Sequence, residues 1–276
     1  MRMPIHRSTL AAAIALLFGS SPAWAIYVNG GFETGDYVGW TVGGGTNPGL
    51  SGSPPFTGAN IVISGTAAGP ATVVGMISDP RAPTLMLPRV GTLTAKLSNE
   101  SGGQTITTMT QVDTLTAADV DPGDGMPHIR FAFAPVLQDP GHAPSEQPYF
   151  YVSVKNMTTN AVLFEQFAFS GQPGVTYLTG PGGFKYLDFQ NIDVVLPSSA
   201  IGSPIELRVV AAKCSLGAHG GYVYVDGFGS TAVPPPGGAG VPAVFVPVPA
   251  LPPAGVALLG GLLAVVGLWF RRRVGG

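Results

Sequence analysis

Of 276 residues only 10% are charged, whereas 40 are glycine and 27 proline. This excludes a coiled coil, a charged disordered chain and, without a G-X-Y period, a collagen. The net charge is −2, but five of the thirteen basic residues lie at the extreme ends, so the middle is acidic and unsuited to a nucleic-acid backbone.

The first 25 residues carry Arg2 and Arg7, then an uncharged run from Leu10 to Phe18, and close on Ala23, Trp24 and Ala25. This is the pattern of a secretory signal, so the Sec translocase and signal peptidase are expected partners, with cleavage before Ile26.

Residues 26–230 read as one all-β domain. Short runs rich in β-branched and aromatic residues fall at 61–64, 71–77, 91–98, 104–115, 128–137, 148–155, 161–169, 184–196, 204–213 and 222–228, separated by Gly, Pro, Asn and Asp. About ten strands without an amphipathic helix predict a sandwich or barrel. Phe131 and Phe133 alternate with Ala132 and Ala134, and Tyr222 and Tyr224 with Val223 and Val225, as in sheets with two unlike faces. The Gly-rich stretch 41–58, with Asn47, Pro48, Pro54 and Pro55, reads as a long surface loop.

Catalytic signatures are missing: there is no H-E-x-x-H, G-x-S-x-G, P-loop or G-x-G-x-x-G, so the domain is read as non-catalytic. His128, His142 and His219 are placed in turns between strands, where a solvated or capping role stands against a catalytic one, and His142 and His219 are candidate ligand-binding residues. Asp119-Val-Asp121-Pro-Gly-Asp124-Gly125 reads as an acidic turn. As an EF-hand loop it would need an oxygen ligand where Gly123 stands and a glutamate where Arg130 stands. The only cysteine, Cys214, excludes an intrachain disulfide and a cysteine zinc cluster, and is read as a small buried residue.

The domain opens on Asn29-Gly-Gly-Phe32-Glu33-Thr-Gly35-Asp36 leading to Trp40, and closes on Tyr222-Val-Tyr224-Val-Asp226-Gly-Phe228. This pairing resembles the galactose-binding-like jelly rolls that include many carbohydrate-binding modules. The resemblance implies a jelly-roll β-sandwich whose first and last strands are neighbours, with a Ca2+ ion between Glu33 and Asp226. Phe131 to His142 with Gln147-Pro-Tyr-Phe150, and Cys214-Ser-Leu-Gly-Ala-His219-Gly-Gly-Tyr222, are similar to a recurring extracellular bacterial domain found beside adhesive modules, which implies a surface location. Trp40 is the one aromatic candidate for sugar contact, because the other two tryptophans lie in the end segments.

Residues 231–253 hold eight prolines and no charge, which reads as an extended spacer. Ala254 to Phe270 are 17 uncharged, mostly apolar residues, or ~25 Å of helix, enough to span a bilayer core. Arg271, Arg272 and Arg273 follow as a membrane stop, which by the positive-inside rule leaves the domain on the periplasmic side of the inner membrane. The order of Val246-Pro247-Val248-Pro249, apolar span and Arg cluster resembles the PEP-CTERM sorting tails read by exosortases. Val248 stands where the common motif has glutamate, closer to variant tails built on Val-Pro-Leu-Pro or Ile-Pro-Thr-Leu. The resemblance implies an exosortase-like sorting enzyme and release or attachment at the cell surface. Together these readings describe an exported, non-catalytic cell-surface or matrix protein. The second reading is a calcium-stabilised module binding extracellular polysaccharide, and a secreted hydrolase comes third.

Overall fold

The computed structural model describes residues 26–230. Their twelve strands are β1 (Thr41–Thr46), β2 (Ala71–Val74), β3 (Thr94–Asn99), β4 (Thr105–Thr114), β5 (His128–Gln138), β6 (Tyr149–Asn156), β7 (Ala161–Phe169), β8 (Leu178–Thr179), β9 (Phe184–Tyr186), β10 (Gln190–Val195), β11 (Pro204–Ala212) and β12 (Gly221–Gly229). Helical structure among the described residues is limited to single 3-10 turns. None is long and apolar enough to cross a membrane. The expected signal (1–25), the spacer with Val246-Pro247-Val248-Pro249, the apolar span 254–270 and Arg271–Arg273 lie outside the described residues.

All strand pairings are antiparallel and form two sheets. One has the order β1-β4-β11-β6-β7, and the other β2-β3-β12-β5, continuing along the far edge of β5 with β9 and β8 at one end and β10 at the other. If β3, β4, β5, β6, β7, β10, β11 and β12 are counted one to eight, the sheets read 1-8-3-6 and 2-7-4-5. That is the strand order of a jelly roll, in which successive strands switch sheets except at the β6–β7 hairpin.

The period-2 alternation decides which side chains fill the space between the sheets. Leu97, Phe131, Phe133, Val223 and Val225 from one sheet meet Met109, Phe150, Val152, Leu207 and Val209 from the other. The opposite faces are not left bare. Ala132, Ala134, Tyr222 and Tyr224 are covered by Ala82, Leu85 and Leu87, and Ile106, Tyr149, Tyr151 and Val210 by Leu50 and Phe56.

Several boundaries differ from the sequence expectation. The Gly-rich stretch is not all loop, since Thr41–Thr46 pairs along β4. Its glycines are a packing requirement: a Cβ on Gly44 would stand 1.9 Å from the Ile106 carbonyl oxygen. The run 61–64 is no strand and contributes only a bridge from Ser64 to Thr46. The run 184–196 is split into β9 and β10, and Pro135 on the partner strand accounts for the break. A strand residue points its N–H and C=O to the same neighbour. The Pro135 carbonyl accepts from Leu187 N–H between the two strands, so its missing donor falls in the gap. Finally, β1 and β12 lie in different sheets, so the first and last strands are not neighbours; β3 takes the place beside β12.

Candidate functional site

The opening segment 26–40 reaches β12 without being a strand. Tyr27, Asn29 and Phe32 adopt φ of 75°, 53° and 59°, a succession of tight turns held by Phe32 N–H to Asn29 C=O and Gly35 N–H to Phe32 C=O. Phe228 N–H donates to the Gly30 carbonyl at 3.0 Å, which places this segment against the end of β12. Only glycine fits at 30, because a Cβ there would lie 1.9 Å from the Phe228 carbonyl oxygen.

This docking aims Glu33 and Asp226 at one connection, residues 89–93. Asp226 Oδ2 accepts from the N–H groups of Arg89 (3.0 Å) and Val90 (2.9 Å), and Oδ1 from Gly227 N–H (2.7 Å). Glu33 Oε1 accepts from Thr92 N–H (2.9 Å) and Leu93 N–H (3.1 Å), and Oε2 from the Thr92 hydroxyl (2.5 Å). Each carboxylate oxygen has two lone pairs. Asp226 Oδ2 and Glu33 Oε1 are thus filled, while Asp226 Oδ1 and Glu33 Oε2 each keep one. Asp226 is fully buried. Burial pushes its carboxyl up to about 8 against the pull of three N–H donors, and the nearby Glu33 charge adds to the rise. The pair is a clamp on 89–93 that retains two hard-oxygen positions. Calcium takes six to eight oxygens, so carbonyls or water would have to supply the rest.

Trp40, the sugar-contact candidate, lies in the core with 7% of its surface exposed. Its ring packs on Phe228 (4.9 Å between centroids), Phe32 (5.6 Å) and Tyr27 (6.1 Å), and its Nε1 donates to the Asn29 carbonyl at 3.2 Å. A ring covered in this way offers no face to a sugar.

The three histidines part company. His128 is not in a turn but begins β5, buried. Its Nδ1 lies 2.5 Å from Asp193 and its Nε2 3.0 Å from Asp124. Burial disfavours the charged ring, but the two carboxylates outweigh it and raise its pKa. Arg130 binds Asp193 through Nε (2.8 Å) and Asp121 through Nη2 (2.6 Å). The carboxylates Asp121 and Asp124 of the acidic turn are therefore engaged by Arg130 and by the His128 ring. Asp119 is also engaged, accepting from Ile26 N–H at 2.9 Å and capping its own 3-10 turn through Thr116.

His142 and His219 come together at the end of the sandwich formed by the β5–β6 and β11–β12 connections, with ring centroids 5.0 Å apart in an edge-on arrangement. Cys214 is buried beside them, its Sγ 3.8 Å from His142 Nδ1. Cys214 is buried as its sequence reading expected, but its place beside the two histidines was not foreseen. The Cys-x4-His spacing was the available signal, since the loop closes through Cys214 N–H to the His219 carbonyl at 3.2 Å.

Another feature absent from the sequence reading is Asp79, buried behind β12. It accepts from the Tyr222 hydroxyl (3.0 and 2.8 Å) and the Tyr224 hydroxyl (2.9 Å), with Lys96 Nζ 4.0 Å from the Tyr222 ring centre. The adjoining cavity, lined in part by Arg81, Lys96 and Glu100, measures 140 Å³, below the ~300 Å³ at which small-molecule sites begin. The outer face of the five-stranded sheet is covered at one end by Leu50 and Phe56. Beyond Tyr151 it is polar, where Thr110, Arg208, Ser153 and Glu165 stand in one row across β4, β11, β6 and β7. The Tyr151 hydroxyl donates to Glu165 at 3.1 Å. Among the described residues no Phe, Tyr or Trp is exposed.

Residues 246–273 match the IPTL-CTERM motif. The tail is thus of the variant kind and not the common glutamate form, and the match covers the tail alone. No curated protein sequence matches the chain. Among solved structures, CBM27-1 of Caldicellulosiruptor saccharolyticus, in complex with mannohexaose, is 11% identical at a TM-score of 0.36, over 72% of this chain and 93% of its own. A non-crystalline cellulose specific module, CBM28, is 13% identical at 0.37, over 73% and 93%. The K3 adhesin domain of Lys-gingipain from Porphyromonas gingivalis is 14% identical at 0.28, over 74% and 98%. Likenesses at TM-scores this low bear on neither the ligand nor the activity of this chain.

Proposed function

We propose that this chain is an exported, non-catalytic surface protein, in which a jelly-roll domain is delivered to the cell envelope by its C-terminal sorting tail. The observation that carries the proposal is the IPTL-CTERM match at 246–273, on the C-terminal side of a β-sandwich. An exosortase-like enzyme is its expected partner, acting near Val246-Pro247-Val248-Pro249 on a tail held in the inner membrane. The test is fractionation of a Gram-negative host whose own proteins carry such tails, with the full chain compared with one ending at residue 245. The full chain is expected at the envelope or surface and the shortened one in soluble export fractions. Identical distributions would reject the sorting role, and the intact mass of the surface form reads whether the tail is cut.

Within the same reading, calcium at Glu33 and Asp226 serves stability and not catalysis. Its support is a carboxylate pair with hard-oxygen positions to spare on one chain connection.

A second reading, polysaccharide binding, is favoured by one observation: the polar row Thr110, Arg208, Ser153 and Glu165 on the outer face of the five-stranded sheet. Planar sheet faces suit extended chains, and both a cationic and an anionic group face outward there. Without an exposed aromatic platform, binding rests on hydrogen bonds and is expected to be weak. A glycan array with the full chain in detergent decides it. Binding that Arg208→Ala and Glu165→Ala both remove supports this face, and no bound glycan rejects it.

A further inference from the structure

Two connections at one end of the sandwich present three metal-ligating residue types to one another. His142 comes from 139–148, between β5 and β6, and Cys214 and His219 from 213–220, between β11 and β12. One ligand atom from each of the three lies within 4.8 Å of the others, and Cys214 Sγ is 3.8 Å from His142 Nδ1. Zinc bonds of ~2.3 Å to sulfur and ~2.0 Å to nitrogen, arranged tetrahedrally, put such atoms about 3.5 Å apart. The cluster is therefore within a small side-chain adjustment of a coordination sphere.

The surroundings hold these positions. Cys214 N–H bonds the His219 carbonyl, Gly217 N–H bonds the Cys214 carbonyl, and Ser215 N–H crosses to the Glu146 carbonyl of the other connection. Gln147 Nε2 donates to the His142 carbonyl at 3.1 Å. Gly217 at φ 87° lets the loop turn back on itself. Leu216 N–H donates to Cys214 Sγ at 3.3 Å, a contact that stabilises negative charge on sulfur. His219 Nδ1 is buried with no hydrogen-bond partner among the described residues, which is costly unless something binds there.

We propose that His142, Cys214 and His219 form a binding site for a borderline-soft divalent metal ion, with zinc the expected occupant and the fourth position open to solvent. One thiolate and two imidazoles are ligands that zinc accepts and calcium does not. His142 and His219 are partly exposed, so ion and water have a way in. The site is separate from the Glu33 and Asp226 clamp and does not rest on the proposed function.

The test uses the full chain in detergent, reduced and stripped with chelator. Zinc chloride is expected to bind at one equivalent and to raise the melting midpoint by about 5 °C at a hundredfold excess over the dissociation constant. Cobalt(II) in place of zinc should give a near-ultraviolet sulfur-to-metal band and the intense visible bands of a four-coordinate site. Cys214→Ser should abolish the sulfur band, and both Cys214→Ser and His142→Gln should weaken zinc binding at least tenfold, whereas Glu33→Gln leaves it unchanged. If Cys214→Ser does not fold, the wild-type cobalt spectrum and His142→Gln decide alone. No stoichiometric zinc, a cobalt spectrum without the sulfur band, or unchanged affinity in His142→Gln would each overturn the site.

Discussion

Asp226 is where a single residue governs behaviour that a melting curve can read. Its carboxyl, pushed up to about 8 by burial, stands near 4 in the unfolded chain. The folded state thus holds a proton that the unfolded state releases across this interval. Stability contributed by the group is full below about pH 4, falls as pH rises towards 8, by at most about 1.4 kcal/mol per pH unit, and is level above. A cation beside Asp226 would favour the carboxylate and remove the fall. In chelator the wild-type midpoint should therefore drop between pH 5 and 8, and in calcium it should drop less, by the His128 contribution alone. Glu33→Gln should lose the calcium response and Asp124→Asn keep it. Identical wild-type curves in calcium and chelator would dispose of the calcium proposal. A flat curve in chelator would dispose of the buried proton. His128 adds a slope of the same sign, since its raised pKa gives stability that is full at low pH and is lost as pH passes upward through the folded value.

Among the elements, β1 is the strand whose pairing depends on glycine. Gly44 has φ 144° and its missing Cβ would meet the Ile106 carbonyl oxygen at 1.9 Å, whereas Gly65 has φ 68° with nothing within 4 Å. Gly65→Ala bears only a left-handed backbone cost of about 1 kcal/mol. Gly44→Ala must in addition displace β1 from β4, and should cost about 3 kcal/mol. Urea midpoints of the two variants against the wild type test this, and equal losses would mean that β1 does not pack as closely as described. The same strand marks the limit of what sequence pattern conveys. The Phe/Ala alternation of β5 and the Tyr/Val alternation of β12 announced their two faces directly, because burial on both sides still sorts large from small side chains. In Thr41–Thr46 the middle residues have no side chain to sort, so periodicity is silent and the close approach that demands glycine is visible only in three dimensions. The division of β9 from β10 was likewise hidden, since its cause, Pro135, sits on the partner strand.

At the scale of the molecule, the all-β class follows from ten or so short runs spaced by turn residues, whereas the jelly-roll order was implied only by the resemblance of the opening and closing segments and is seen in the strand pairing. The candidate sites were legible to different degrees. Glu33 and Asp226 belong to recognisable opening and closing segments, and they do converge, although through turns and not through paired strands. The Cys214 cluster joins residues 72 apart along the chain, and chain spacing does not give that distance in space. Asp79 is a similar case: its tyrosine partners lie 143 and 145 residues away.

The contact of Gly30 with Phe228 has one more consequence. Ile26 N–H is bonded to Asp119, and the Ser230 carbonyl accepts from Arg130, which also grips Asp121, so the first described residue meets the 119–121 turn directly and the last is tied to it through Arg130. The chain enters and leaves the sandwich side by side. A module wired in this manner occupies a single socket: it can be spliced into a loop of another protein, or strung in series with its copies, without stretching the host between distant points.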